Sequence, residues 1–417
     1  MSTPPTVVIV ATLDTKGSAA QFLRDKIVAW GLNTLLIDPG IVGTPTIQAD
    51  VTRSQVAQAA GTTLEVLIAN DNKAAGIASQ TIGLRNIVTR LWGAGNLDGI
   101  IGLGGGQGTA LATAAMRALP VGVPKLMLST IACGQFQFGT YVGTKDICMM
   151  HSVTDILDAN AISHPILTNA ANAIAGMTLR SVTHRESHQR AIAITQLGMT
   201  TPCVMNVKEI LETRGYQLVP FHANGVGGLA MEDMIDAGEF VGAIDLTTHE
   251  IMDGLHHGLA GAHHRLEAYT RRAIPAVISV GGNDYVFWGT ADRAPEKYRE
   301  RRQLAHNAEM TVFLPTIAEM IESARAMVEP LNRALGPTIV AIPARGFSDI
   351  NRPGRPMWFP EGNRAMIETL ARELRPEIPV ISIDAHINEP IFAQVIADCI
   401  GRLLSDETPR NIASLYA

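Results

Sequence analysis

Asp98-Gly-Ile-Ile-Gly-Leu-Gly-Gly-Gly-Gln-Gly-Thr109 is the stretch that decides how this chain is read. Gly99, Ile100 and Ile101 have the apolar character of a buried strand, and five glycines follow between Gly102 and Gly108. A helical segment, Ala110–Leu119, comes next. Strand, glycine loop, helix is an order that leaves backbone N–H groups bare beside the positive end of a helix, where a phosphate fits without steric penalty. The stretch points to a nucleotide or phosphorylated ligand on an α/β fold. The plainer alternative is that the glycines only allow a helix and a strand to pack closely.

Outward from this stretch, short β-branched runs alternate with helical patterns, as parallel sheets built from βαβ units require. The expected strands of the first half are Val7–Leu13, Thr34–Asp38, Gly99–Leu103, Lys125–Ser129 and Ile147–Met150, with helices such as Ser18–Trp30 and Ile166–Met177. They are nearly continuous apolar runs, which suits a sheet covered on both faces. A second series comprises Ala191–Thr195, Gln217–Phe221, Gly242–Leu246, Ala276–Val280, Thr338–Ile342 and Val380–Ile383. Both series open with strand, helix, glycine (Gly31; Gly215) and a strand running into a turn, Asp38-Pro-Gly40 or Phe221-His-Ala-Asn-Gly225. The expectation is two similar doubly wound parallel-sheet α/β domains, 1–183 and 190–417, meeting in the polar stretch Thr183–Arg190. Ligands of such sheets sit outside the carboxyl ends of the strands, so the strand-end residues are the ones to weigh.

Composition narrows the class. The chain has 417 residues, 47% hydrophobic and 17% charged, which describes a packed globular protein of more than one domain. A net charge of −6 gives no footprint for nucleic acid. No apolar run reaches the roughly 18 residues that span a bilayer, and Met1–Thr6 has no basic n-region, so a cytoplasmic protein is expected. Cys133, Cys148, Cys203 and Cys399 form no CxxC pair and read as reduced thiols.

In the first half, the first strand runs into Ala11-Thr-Leu-Asp-Thr-Lys-Gly17. Thr12 and Thr15 bring hydroxyls, Lys16 a point positive charge, and Asp14 an acid able to face Mg2+. With Gly104, Gly105, Gly106, Gly108 and Thr109, and with Ser129 and Thr130 after the next strand, they make a nucleotide site. The site is no Walker A, since no GxxxxGK[ST] exists, and no GxGxxG is complete. Cys133 reads as a spectator thiol, because no histidine can be placed beside it from sequence.

In the second half, His222 and Asn224 precede the glycines Gly227 and Gly228, whose helix start suits a substrate carboxylate or phosphate. Asp245 and Glu250 end the next strand; Arg345 with Ser348, then Asp384, His386 and Asn388, end later ones. Arg345 facing a substrate carboxylate, with His222, Asp245, Asp384 and His386 as proton-transfer groups and Asn224, Gly227, Gly228, Glu250, Ser348 and Asn388 around the substrate, makes a coherent small-molecule site. Strand-end Asp and His also cap helices, so each residue alone has a structural alternative. The spacing of seven puts His256 with His263, or His257 with His264, on one helical face; a solvated or interface face is favoured over a zinc site, and no residue is assigned to a metal.

Ala11–Gly17, Gly102–Thr109, Ser129–Gly134 and Asn169–Met177, with Phe221–Gly228, Asp245–Glu250, Gly281–Asp284, Pro343–Asp349 and Asp384–Pro390, resemble the family related to the tomato mosaic virus resistance protein, over nearly the whole chain. The resemblance implies two Rossmann-like domains, ATP with Mg2+ on the first, and a homodimer or higher homo-oligomer. It also implies a TIM-barrel-like region that follows in the plant protein; the sequence here stops at Ala417, so any such barrel would be a separate polypeptide. The leading expectation is therefore an ATP- and Mg2+-dependent enzyme acting on a small polar, carboxylated or hydroxylated metabolite at the interdomain cleft. Kinase, ligase and hydrolase stay open. The alternative is a non-catalytic, nucleotide-gated protein-binding module, since the plant protein acts by binding viral replication proteins. An NAD-linked oxidoreductase is disfavoured by the missing fingerprint loop.

Overall fold

A computed structural model describes residues 3–133, 139–157, 160–180 and 190–416. The chain divides into two compact units, Met1–Arg185 and Glu186–Ala417. Of the junction expected at Thr183–Arg190, all but Arg190 lies outside the described residues, as does Gly134.

Unit 1 is built on five strands: β1 (Thr6–Val10), β2 (Asn33–Ile37), β3 (Gly99–Gly104), β4 (Lys125–Ser129) and β5 (Cys148–His151). All pair in parallel, in the order β2-β1-β3-β4-β5. Val7, Ile9, Ile101, Leu103, Leu126 and Leu128 pack under the helices Leu13–Val28 and Ser163–Leu179. Val8, Val10, Ile100 and Met127 face the helices Lys73–Gly93 and Gly106–Arg117. The alternation explains why these strands read as unbroken apolar runs, because both faces are covered. The order reverses between β1 and β3, so their loops leave in opposite directions and open a crevice at the carboxyl edge.

Unit 2 contains β6 (Ala191–Gln196), β7 (Gln217–His222), β8 (Gly242–Thr247), β9 (Ala276–Gly281), β10 (Val286–Trp288), β11 (Gln303–Ala305), β12 (Thr311–Phe313), β13 (Thr338–Pro343) and β14 (Val380–Ile383). Six of them form a parallel sheet in the order β14-β13-β9-β8-β6-β7. Its first five strands by sequence repeat the order of unit 1, and β14 extends the far edge. The helices Gly227–Asp236, Ile317–Leu331 and Pro360–Glu373 cover one face, and Thr201–Thr213 and Pro390–Leu403 the other. The chain is thus α/β with two doubly wound parallel sheets, as its pattern predicts.

Several features differ from the expected pattern. The first strand stops at Val10 and a helix opens at Leu13, so Asp14, Thr15 and Lys16 stand on a helical first turn and not in a loop. The cause is distant in sequence: Asp38, at the end of β2, takes the Leu13 N–H at 3.3 Å, while Thr12 makes no side-chain cap. The helix after β3 begins at Gly106 rather than Ala110. The antiparallel set β10-β12-β11 was not foreseen, because strands of three residues carry too little periodicity to register. Among the described residues, no helix is long and apolar enough to cross a membrane.

Candidate functional sites

At the carboxyl edge of unit 1 the glycines divide by role. A Cβ on Gly102 would overlap the Ala112 side chain, and one on Gly104 would stand 2.8 Å from Gly108 Cα. These glycines let the helix Gly106–Arg117 lie against β3, as the packing alternative holds. Gly105 and Gly106 are different: a Cβ at Gly105 meets only Thr130 Oγ1 at 3.5 Å, and one at Gly106 meets nothing. Gly105 occupies the N-cap with no side chain to cap the helix, and the N–H groups of Gly106, Gln107 and Gly108 donate to no atom of the described residues. Inside the same edge Thr109 Oγ1 and Ser129 Oγ share a 2.7 Å hydrogen bond, and Thr130 N–H donates to Gly104 O.

The helix from Leu13 contributes Lys16, mostly buried, whose Nζ bonds Asp155 Oδ1 at 3.0 Å and holds that carboxyl below the usual carboxylate range. Asp14 is half-buried under the turn at Gly43, Thr12 is half-buried and Thr15 is exposed. This helix start already carries a protein anion, Asp38, which Arg53 pairs at 2.7 Å. The open helix end is therefore the one at Gly106. Cys133 does have a partner: its Sγ lies 3.3 Å from His151 Nε2 at the end of β5. A separation of 18 positions along the chain hid that pairing from sequence.

Unit 2 places a charge where a ligand was expected. Glu250 Oε1 accepts the N–H groups of Gly225 and Gly228, so the anion at this glycine loop is the protein's own carboxylate. Arg265, fully buried, bonds Glu250 Oε2 at 2.6 Å, Asp245 Oδ1 and Oδ2 at 2.8 and 2.9 Å, and Glu232. Asp245 also accepts Thr195 Oγ1 at 2.8 Å, and Glu232 accepts Leu266 N and Ala268 N. A Cβ on Gly228 would overlap Glu250 Oε2 and Arg265 Nε, and one on Gly227 the His222 carbonyl. Asp245, Glu250 and Gly228 thus belong to a buried ionic core in which their polar groups are taken, and Gly227 packs against the His222 carbonyl. Burial raises the pKa of Glu232 while Arg265 opposes the rise. His222 and Asn224 are exposed at the end of β7, the edge strand farthest from β14.

Between these edges, the end of β9 is also filled. His249, fully buried, sets Nδ1 2.7 Å from Gly282 O and Nε2 3.2 Å from Asp253 Oδ2, with its ring over Tyr285. Burial opposes a charge on His249, but Asp253, the Gly282 carbonyl and Asp284 together favour it and the pKa rises. Asp284 accepts Ser348 Oγ at 2.7 Å, and burial raises its pKa to about 6.

The other edge is open. The loops after β13 and β14 are joined by Arg345 N–H to Ala385 O and Ile387 N–H to Gly346 O, each 3.0 Å. They enclose a cavity of about 230 Å³ lined by Arg345, Arg352, Pro353, His386, Asn388 and Glu389. Arg345 is exposed and makes no hydrogen bond or ion pair through its side chain among the described residues; Arg352 pairs with Asp349 at 3.1 Å. His386 Nδ1 accepts Asn388 N–H at 3.1 Å, so Nε2 carries the proton and donates to Ser348 O at 2.8 Å. Burial pushes its pKa below the ordinary imidazole value, despite the Ser348 carbonyl, and Arg352 adds to the fall. With both ring nitrogens engaged, His386 holds the two loops together rather than presenting a base. The Asn388 amide is likewise spent on Met199 O and Cys203 N–H. Ser348 is buried, and Asp384 is exposed at the end of β14.

The structure therefore brings Arg345, Ser348, His386 and Asn388 together and leaves His222 and Asn224 at the opposite edge. Four strand spacings separate β13 from β7, about 19 Å.

Residues 5–183 match the N-terminal domain, and residues 189–404 the C-terminal domain, of an uncharacterised protein family, UPF0261. The chain belongs to this family. A UPF0261 protein of Clostridium tetani is 38% identical over 94% of this chain and 97% of its own length. In tomato, Solanum lycopersicum, the ToMV resistance protein Tm-1(GCR237) is 36% identical over 73% of this chain, and the ToMV susceptible protein tm-1(GCR26) is 35% identical over 79%. The match spans 41% and 44% of the length of those two tomato proteins.

Two further residue groups of this UPF0261 chain depart from their sequence reading. The four histidines share no helix: His256 ends one, His257 caps it in the left-handed conformation, and His263 and His264 are exposed in the turns beyond. Glycines at 258 and 261 stop the helix, as their close approach to Asp253 requires. Among the described residues, no group of three or more His, Cys, Asp or Glu is placed to hold a metal ion. Arg352, Asp155 and Arg265 were missed outright; each stands in irregular chain, where no periodicity marks a side chain as inward.

Proposed function

We propose that the chain is an ATP- and Mg2+-dependent enzyme acting on a small carboxylated or hydroxylated metabolite, with the nucleotide on unit 1 and the metabolite at Arg345 on unit 2. The observation that carries the nucleotide is the uncapped helix start at Gly106, with three undonated N–H groups and open space in front of them. A phosphate satisfies those donors and the helix dipole together. Thr109, Ser129 and Thr130 line the same edge, Lys16 adds a point charge, and Asp14 is a carboxylate suited to a Mg2+ that phosphates also hold. ATP, when bound, supplies the group to be transferred; the residues of the chain bind and orient. On unit 2 the unpaired Arg345 guanidinium matches a carboxylate in a bidentate fork.

Thermal-shift measurements with ATP and Mg2+, ADP, and NAD test the reading. ATP with Mg2+ should raise the unfolding temperature, and Lys16→Ala should weaken ATP binding by about tenfold, the loss of one charge-assisted contact. A rise with NAD and none with ATP overturns it. A nucleotide-gated binding module without turnover is the second reading, and the tomato relative's description as a ToMV resistance protein favours it. ATP that binds tightly and is never consumed, with any small carboxylate present, would decide for that module.

A further inference from the structure

Arg345 is the wall between two cavities. The first is the polar one described above. The second, about 340 Å³, is lined by Arg345, Pro353, Trp358, Pro360, Arg364 and Ile367. The two share Arg345 and Pro353 but differ in chemistry. Arg352, His386, Asn388 and Glu389 make the first polar, whereas proline rings, an indole and an isoleucine make the second apolar.

We propose that the two cavities form one bipartite site for an amphipathic anion, with a carboxylate or phosphate group on Arg345 and a flat apolar body on Trp358. The proposal rests on the reading of Arg345 as the substrate anchor and adds the class of the substrate. Three observations support it. The side chains of Arg345 and Arg364, both exposed and both lining the apolar cavity, have no partner among the described residues, so their charges are free to meet an anion. An anionic head group reaches Arg345 at the junction of the two cavities. The main chain that carries the wall is also anchored: Arg302 Nη1 donates to Trp358 O at 2.8 Å, and Phe359 N–H donates to Asn351 Oδ1. An indole carried on an anchored main chain offers a stacking surface with only two side-chain torsions to fix. Finally, Glu389 on the polar side disfavours a second anionic group there, so the rest of the ligand extends toward Trp358. The volume of the apolar cavity falls within the about 300–1,000 Å³ range of small-molecule sites.

Binding of naphthalene-2-carboxylate, 2-naphthyl phosphate, acetate and inorganic phosphate to the full chain, measured by calorimetry, tests the proposal. At least one aryl anion should bind about tenfold or more tighter than its small counterpart, and comparing the two aryl compounds identifies the head group. Trp358→Ala should remove that advantage, Trp358→Phe should keep most of it, and Arg345→Ala should weaken all four compounds. Small anions that bind through Arg345 with no aryl advantage overturn the proposal and leave the anion reading standing. Binding of none of the four through Arg345 overturns both.

Discussion

A buried carboxyl whose pKa is raised destabilises the fold once it must ionise, and Asp284 is such a group. Its pKa of about 6, against 3.8 for the free side chain, means the folded protein holds the proton more tightly than the unfolded chain. That contribution to stability is fully present below about pH 4 and is lost as pH rises through 6. Asp284→Asn keeps an oxygen for Ser348 and removes the charge, while Asp253 remains the near partner of His249. The variant should therefore be more stable than the parent by roughly 1–3 kcal/mol at pH 8, with the gain vanishing at pH 4. Urea denaturation at the two pH values checks this; an equal difference at both would show that ionisation is not the cause. The same scale shows where sequence falls silent. Arg345, His386 and Asn388 were legible because they follow strands directly. Arg265 was not, since its partners lie 15, 20 and 33 residues away and nothing in their spacing links them.

For elements, the unbroken apolar runs were legible because helices cover both faces, and the misjudged helix start at Leu13 came from Asp38, a cap supplied by another strand. The glycine run carried two readings, close packing and phosphate binding, that sequence alone could not separate. Contact geometry assigns close packing to Gly102 and Gly104, where the helix Gly106–Arg117 touches the sheet, and leaves Gly106 facing open space. Gly102→Ala should then cost about 1–3 kcal/mol, because the new methyl overlaps Ala112 and the helix must shift. Gly106→Ala should leave stability within about 0.5 kcal/mol and weaken ATP binding, because the methyl enters the space in front of the free N–H groups. Denaturation and ATP titration of the same two proteins make the comparison. If Gly106→Ala bound ATP as the parent does, the phosphate would have to sit elsewhere on the edge.

On the scale of the molecule, the same strand order occurs twice, with β14 added to the second sheet. Each hydrophobic cluster among the described residues draws on one unit alone: two belong to unit 1 and three to unit 2. Separate cores make separate cooperative transitions the expectation, since cooperativity follows shared buried surface. A ligand that binds only the folded form raises the stability of its own unit, by about 2.7 kcal/mol at a hundredfold excess over Kd. Calorimetry of the full chain should accordingly show two heat-absorption peaks. ATP with Mg2+ should move one of them upward, and residues 190–417 produced alone should reproduce the other, unmoved by ATP. A single peak that ATP shifts as a whole would mean that the units unfold together and that nucleotide binding is felt by both. Two peaks with the ATP-sensitive one in the 190–417 fragment would place the nucleotide on the second sheet and reverse the assignment of the glycine loop at Gly106.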